Sequence, residues 1–447
     1  SLMALNGPSR VFYKGPQLGL AIGVLGCQSP SLRSTLCADC LWATPLQVAA
    51  ICAYPELLHA DAMPQDAKRR ASRILQELPS ASYVTAAVPR RVAHYLERRD
   101  GGIRCDPRNI VTCGGITTAI VDFLSLLVNE QEPRRAGVLL LVPGDPLYTD
   151  AVALAGAVGV QYHLDEEGGW AMDVGEIRRV LSQARGHCTP KVLCVINSRY
   201  PTGESEKADV LQLAAQERLL LLADEVHQDS VFTPDSPFLS FKRVLYELGP
   251  AVSSAVQLIS FYSLSKGFAA EGGFRAGFFE LVNIDPAIMK CFCSWGMSVY
   301  PLILGQVLLD ALMEPPLPGD PSYQTFMAEK QAVLSDLAHK AQLAQEISSQ
   351  VPGIRCNPVQ GAMYSFPSIQ IPARAVQEAQ ALGLEPDFFF CQKLLEATGI
   401  VLAPGSIFGQ RRGTHHARVT LLPPVETLRI VLHTIADFRS QSLQRYS

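Results

Sequence analysis

The chain has 447 residues, 48% of them hydrophobic and 18% charged, a composition that excludes a disordered or fibrous protein and points to a well-packed globule. Its formal net charge of −4, with no run of five or more like charges, leaves no electrostatic footprint for nucleic acid or an anionic membrane, so neither is expected as a partner. By the length prior the chain holds about two or three domains.

Leu18 to Gly26 is short and apolar, lacks a basic flank and is too short to span a bilayer, so strand or core is expected there. Ser1-Leu2 stand before Met3, which leaves a targeting segment ahead of this sequence open. Cys37-Ala38-Asp39-Cys40 has no second Cys or His pair at ligand spacing; two free thiols are expected, and no metal. The twelve cysteines scatter from Cys27 to Cys391, which fits a reducing compartment, the cytoplasm or alternatively the mitochondrial matrix.

From residue 110 short β-rich runs alternate with helical stretches. Ile110-Val111-Thr112 precedes Gly114-Gly115 and an apolar helix from Thr117 to Val128; Gly137 to Val142 precedes Pro143-Gly144-Asp145-Pro146; Val192 to Ile196 precedes Asn197. Leu219 to Leu222 precedes Asp224, and Val256 to Ser260 precedes Ser263-Leu264-Ser265-Lys266-Gly267. The pattern is α/β with buried strands, and the polar residues of interest follow strand ends, where open α/β sheets bind ligands. Cys291 and Cys293 read as buried thiols of a helix. Beyond a Pro-rich linker, Glu314 to Pro318, a solvated helix from Tyr323 to Ser349 is expected to run over the surface between domains, followed by strands and a helix ending near Phe438. His415-His416 lacks a third ligand and reads as a solvent-facing pair.

The chemistry-bearing residues converge on an aldehyde cofactor. An imine-forming lysine needs surroundings that favour its neutral amine, and Lys266 has an apolar strand behind it. Nine residues on, Arg275 stands in Gly272-Gly273-Phe274-Arg275-Ala276-Gly277, where a planar guanidinium grips a phosphate and glycines let backbone approach. Cys113-Gly114-Gly115-Ile116 runs into a helix whose N-terminal N–H groups suit the same anion. Asp224 suits a pyridinium nitrogen. Together these parts suit pyridoxal 5′-phosphate (PLP).

From Tyr83 onward the sequence resembles the alanine aminotransferases, fold type I PLP enzymes; before Leu75 the match is patchy. Tyr95-Leu96-Glu97-Arg98-Arg99-Asp100-Gly101-Gly102, Ala223-Asp224-Glu225-Val226, Ser240-Phe241-Lys242, the lysine loop, Cys356-Asn357-Pro358-Val359-Gln360-Gly361-Ala362-Met363-Tyr364-Ser365-Phe366-Pro367 and Pro404-Gly405-Ser406-Ile407-Phe408-Gly409-Gln410 carry it. The resemblance implies a large three-layer α/β/α domain with a mixed, mostly parallel sheet at 76–312, a smaller C-terminal α+β domain at 313–447, and an N-terminal arm at 1–75 that contributes to the small domain. It implies a homodimer and ping-pong imine chemistry taking alanine and 2-oxoglutarate to pyruvate and glutamate. It makes Lys266 the cofactor-bonding and proton-transferring residue, Asp224 the ring-nitrogen partner, and Ser263 and Arg275 phosphate ligands, beside the Gly114-Gly115 turn read above from the residues. Tyr83 becomes a phosphate ligand offered across the dimer interface, and Arg418 the receptor of the substrate carboxylate.

Four positions depart from the family pattern, all at the cofactor. Tyr200 stands for the asparagine that bonds the ring oxygen, His227 for a tyrosine with the same task, Asp145 for the aromatic that stacks on the ring, and Ile116 for a serine of the phosphate turn. Loss of stacking costs about 0.5–1.5 kcal/mol. Loss of one bond to the charged phosphate costs roughly 1.5–3 kcal/mol. Two further readings therefore stay open on the residues alone: a weakened or inactive relative with a binding or regulatory role, and a PLP transaminase or lyase for another amino acid.

Overall fold

A computed structural model describes residues 45–77, 86–128, 132–197, 204–232, 238–270, 272–288, 290, 302–359 and 361–446. Tyr83, Tyr200, the 18–26 segment, the Cys37/Cys40 pair and the Cys291/Cys293 pair lie outside them.

Strands β1 (Ile110–Cys113), β2 (Ala136–Val142), β3 (Val158–His163), β4 (Thr189–Ile196), β5 (Leu220–Asp224), β6 (Leu258–Ser263) and β7 (Gly277–Val282) form one sheet in the order β1-β7-β6-β5-β4-β2-β3. Only β7 runs against its neighbours. Strands β2, β5 and β6 are buried at every position, which is why they read as continuous apolar runs rather than alternating ones. Two strand ends fall later than the sequence suggests: β5 runs on to Asp224 and β6 to Ser263, so both polar residues are held by ladder bonds rather than by a loop.

Helices α1 (Pro45–Ala53), α2 (Gln65–Glu77), α3 (Ala87–Arg99), α4 (Ile116–Leu127), α5 (Pro146–Leu154), α6 (Val174–Ala184), α7 (Glu204–Glu217), α8 (Phe241–Glu247) and α9 (Ile303–Met313) surround this sheet. Strand residues point alternately to opposite faces, and the core divides accordingly. Leu139, Leu193 and Leu221 pack with Ile177, Leu211 and Phe241 of α6–α8, and on the same face Tyr262 and Phe278 pack with Ile51, Ile74, Val92 and Leu308 of α1–α3 and α9. Val138, Cys194 and Leu222 pack on the other face with Ile120, Phe123 and Val152 of α4 and α5. The expected three-layer α/β/α arrangement with a mixed, mostly parallel sheet is what the chain adopts.

The C-terminal elements are α10 (Tyr323–Ser349), α11 (Ala373–Ala381), α12 (Pro386–Thr398) and α13 (Val425–Tyr446), with short strands β8 (Ile354–Arg355), β9 (Tyr364–Ser365), β10 (Ser368–Ile369), β11 (Ala403–Pro404) and β12 (Ala417–Thr420). They pair as β10-β8 and β11-β12-β9 and enclose a separate core that includes Ile347, Phe390, Val419 and Leu432. Helix α10 joins the two bodies: near its start Phe326 meets Phe268 of the lysine loop edge-on at 5.8 Å, and its end enters the C-terminal core. Among the described residues no helix is long and apolar enough to cross a membrane.

Candidate active site

Asp224 ends β5 with its carboxylate buried on the α4/α5 side of the sheet. The Tyr148 hydroxyl donates to its Oδ2 at 2.8 Å, and the Val226 N–H donates to Oδ1 at 3.2 Å. Burial dominates and pushes the carboxyl up to about 6; the Tyr148 and Val226 bonds and the nearby Lys266 pull down, while Asp145 pushes up. A carboxylate so poised is stabilised further by any cation brought to it, such as a protonated ring nitrogen.

Lys266 lies three residues beyond the end of β6, half-buried, in a loop that a polar network underpins. Gly267 has φ +72 with Asp229 Cβ 2.8 Å from where its own Cβ would stand, so only glycine fits. Asp229 accepts from Tyr262 (3.0 Å) and Tyr95 (3.4 Å); Gln228 donates to Tyr95 (3.0 Å) and accepts from Arg99 (2.6 Å). Glu225, next to Asp224 on the opposite face, accepts from Asn197 (2.9 Å) and from the Phe241 N–H (2.9 Å), and lies 3.6 Å from Arg99. The acid segment thus fixes Asp224 on one side and props the lysine loop on the other.

The three segments expected to hold an anion lie beside one another, with Arg275 against Gly115 and both Cys113 and Ser263 paired opposite Gly277. Gly115, at φ +115, is the N-cap of α4 without any side-chain cap, so the first N–H groups of the helix stay available. Any side chain at 115 would strike the Arg275 guanidinium, which packs directly on that glycine. Arg275 is exposed, donates to the Gly272 carbonyl at 3.2 Å and has no acidic partner among the described residues. Ser263 and Ser265 pair their hydroxyls at 2.8 Å close by in sequence, and Ser263 is buried. A guanidinium without an acidic partner among the described residues, a helix start without a side-chain cap and hydroxyls fit a phosphate, and with buried Asp224 they fit PLP.

Arg418 stands apart from the strand ends, on β12 of the C-terminal sheet. Its guanidinium lies over the rings of Phe408 (4.6 Å) and Tyr364 (5.4 Å), with no acidic side chain paired to it among the described residues. Tyr364 also meets the His227 ring edge-on at 6.1 Å, which ties Arg418 to the segment that carries Asp224. A positive group flanked by aromatic faces can accept a carboxylate with little desolvation of its own.

Asp145 is exposed, and its carboxylate accepts from the Leu147 N–H at 3.0 Å as the N-cap of α5. The residue aligned with the family's stacking aromatic is therefore engaged in capping. Ile116 begins α4 and packs partly buried against the core of that face, adding no hydroxyl to the cradle. His227 is buried. A cleft of about 200 Å³ opens beside Asp145 and Tyr148, walled by Ser406 to Gly409.

One expectation is overturned. His416 is buried, not solvent-facing: its ring stacks on Phe366 at 4.8 Å, its Nδ1 lies 3.0 Å from Gln410 and its Nε2 3.1 Å from Glu166. Strand alternation carries no information about the distant segments, Glu166 and Phe366, that cover it. Motif and spacing do not single out Tyr148, Asp229 or Phe408, which the structure brings to Asp224, the lysine loop and Arg418. Tyr148 had a signal, standing three residues after the helix-capping Asp145 and so one turn along from it.

The profile of the family described as aminotransferase class I and II matches residues 55–435. Alanine aminotransferase 2 of Xenopus tropicalis is 51% identical over 413 residues, covering 90% of this chain and 79% of that protein. Alanine aminotransferase 1 of Homo sapiens is 49% identical with 90% and 83% covered. The solved structure of alanine aminotransferase from Pyrococcus furiosus superposes with a TM-score of 0.68 at 18% identity, covering 96% of this chain and all of that one, a likeness of fold.

Proposed function

The chain belongs to the aminotransferase class I and II family, and on that premise we propose that it moves the amino group of L-alanine to 2-oxoglutarate, giving pyruvate and glutamate. Its substrates are an amino acid and a 2-oxo acid, and its cofactor is PLP. The observation that carries the substrate reading is Arg418, a guanidinium set on two aromatic rings with no acidic partner among the described residues.

When bound, PLP supplies an aldehyde that exchanges between lysine and substrate amines and an electron-poor ring that withdraws charge from the substrate Cα. In this reading the chain's residues do the rest. Gly114, Gly115, Ser263 and Arg275 hold the phosphate, with Tyr83 as a further ligand. Asp224 keeps a proton on the ring nitrogen, and Tyr148 holds Asp224 in place. Tyr200 and His227 serve the ring oxygen. Lys266 Nζ would take the proton from the alanine Cα and later release it, so one group would act as base and then as acid. Arg418 grips the carboxylate that both substrates share, which lets one site run the two halves of a ping-pong exchange. The proposal includes a homodimer, a cytoplasmic location, and the division at 76–312 and 313–447.

The test is a visible absorbance spectrum of the protein with added PLP, repeated after L-alanine, alongside a pyruvate assay with 2-oxoglutarate. A cofactor band that alanine bleaches, and that Lys266→Ala lacks, is expected. A folded, PLP-saturated protein that yields no pyruvate would overturn the reading.

A further inference from the structure

Between Arg418 and the large sheet runs a continuous contact chain that the catalytic reading does not use. Glu166 sits in the turn after β3, closed by the Asp165–Ala171 bridge. Its carboxylate meets His416 Nε2 at 3.1 Å, although the two are 250 residues apart in sequence. Its backbone carbonyl accepts from Asn357 Nδ2 at 2.8 Å, and Trp170 of the same turn lies edge-on to both Phe366 (5.8 Å) and His416 (5.6 Å). The turn therefore holds the C-terminal body at several points around one histidine.

His416 is bound on every side. Gln410 meets its Nδ1, Phe366 covers its ring in near-parallel stacking (2° between planes), and Gly405 packs so tightly that a Cβ there would stand 2.6 Å from His416 Cβ. The bond from His416 also holds the Glu166 carboxyl below its ordinary range. His416 stands two residues before Arg418, and alternate residues of an extended strand face the same side. From the stack the contacts go on: Phe366 meets Phe408 edge-on at 5.8 Å, and Phe408 carries the Arg418 guanidinium at 4.6 Å. Glu166, His416, Phe366, Phe408 and Arg418 form one packed line from the sheet to the carboxylate receptor.

We propose that His416 and Glu166 are a positioning pair that fixes Arg418 relative to the cofactor site, and so sets how well the enzyme holds the carboxylate of its substrates. Neither residue touches substrate. The inference rests on the reading of Arg418 given above. A receptor displaced by an ångström costs on the order of tenfold to a hundredfold, and since both substrates share the carboxylate, both must suffer alike.

The experiment compares the wild-type holoenzyme with Glu166→Gln, Glu166→Ala, His416→Gln, His416→Ala and the double alanine variant. KM and kcat are measured for alanine and for 2-oxoglutarate, the Kd of propionate by titration calorimetry, and the Kd of PLP. The expected result is a roughly tenfold rise in both KM values and in the propionate Kd for each alanine variant, with kcat and the PLP Kd within about twofold. His416→Gln, whose amide can still donate to Glu166, recovers most of the loss, and the double variant is no worse than the worse single one, since the two act as a unit. Because Glu166 is partly exposed in its turn, its variants read the proposal even if His416→Ala fails to fold. Unchanged KM values and propionate affinity in folded Glu166 variants would overturn it, as would independent, additive effects. A wild-type protein that binds propionate but makes no pyruvate refutes the alanine reading and leaves the pair to be judged on propionate alone; one that binds no propionate refutes both.

Discussion

The Tyr148 hydroxyl donates at 2.8 Å to a carboxylate, Asp224, that burial pushes up to about 6. A buried carboxylate relies on such donors, and this one comes from the first turn of the helix that Asp145 caps. Tyr148→Phe is expected to cost the cofactor-free protein about 1.5–3 kcal/mol at pH 7, where the acceptor is charged, and less at pH 4, where it is protonated. Urea denaturation at the two pH values reads the difference; an equal cost at both would show that the bond does not act on the charge.

The raised Asp224 carboxyl makes stability pH-dependent. The folded cofactor-free chain binds that proton more tightly than the unfolded chain, whose carboxyl titrates at 3.8, so the group favours the fold at low pH, and this is lost as pH rises through about 6. Asp224→Asn removes the titration. Relative to wild type it should gain roughly 2 kcal/mol between pH 4 and pH 7, at 1.36 kcal/mol for each unit of pKa difference and with the unfolded carboxyl already about half ionised at pH 4. Calorimetric unfolding of both proteins over that range checks the sign; a wild type that gains on Asp224→Asn as pH rises contradicts it.

Gly115 is the position where the anion cradle is most easily broken. Alanine there meets the Arg275 guanidinium and must adopt φ +115, so both the helix start and the arginine shift. Losing one charged bond to phosphate costs roughly 1.5–3 kcal/mol, about a tenfold to hundredfold weaker PLP Kd. A fluorescence titration with PLP measures it, and wild-type affinity in Gly115→Ala would remove Arg275 from the cradle.

Asp145 sets a helix cap against ring cover. Asp145→Tyr should tighten PLP by up to about tenfold through about 0.5–1.5 kcal/mol of stacking. The same change should cost about 1 kcal/mol of stability through the lost cap to the Leu147 N–H. Opposite movements of PLP Kd and Tm are the signature; a tyrosine that changes only Tm would place residue 145 away from the ring.

Much of this was legible because parallel strands covered on both faces must be apolar throughout, which made β2, β5 and β6 visible as runs. Lys266, Arg275 and Asp224 stood out because their residue types and spacing answer to one cofactor. Local sequence could not reveal what distant segments cover. Sequence places His416 in solvent, whereas Glu166 and Phe366 enclose it, and nothing around Gly267 in the sequence shows that Asp229 leaves it no room for a side chain. The family pattern sets Asp145 against a ring, whereas Asp-Pro at a helix start already encodes a cap.

The one strand that runs backwards has a consequence of its own. Since β7 returns beside β6, with Ser263 opposite Gly277 and Leu264 N–H bonded to the Ala276 carbonyl at 3.0 Å, Lys266 and Arg275 lie on a single closed loop. The distance between them is set inside that loop and is indifferent to insertions elsewhere in the chain. The gap between the amine and the guanidinium proposed to hold the phosphate is a ruler written in one short stretch of sequence, and a length change within it would displace both ends of the proposed cofactor site at once.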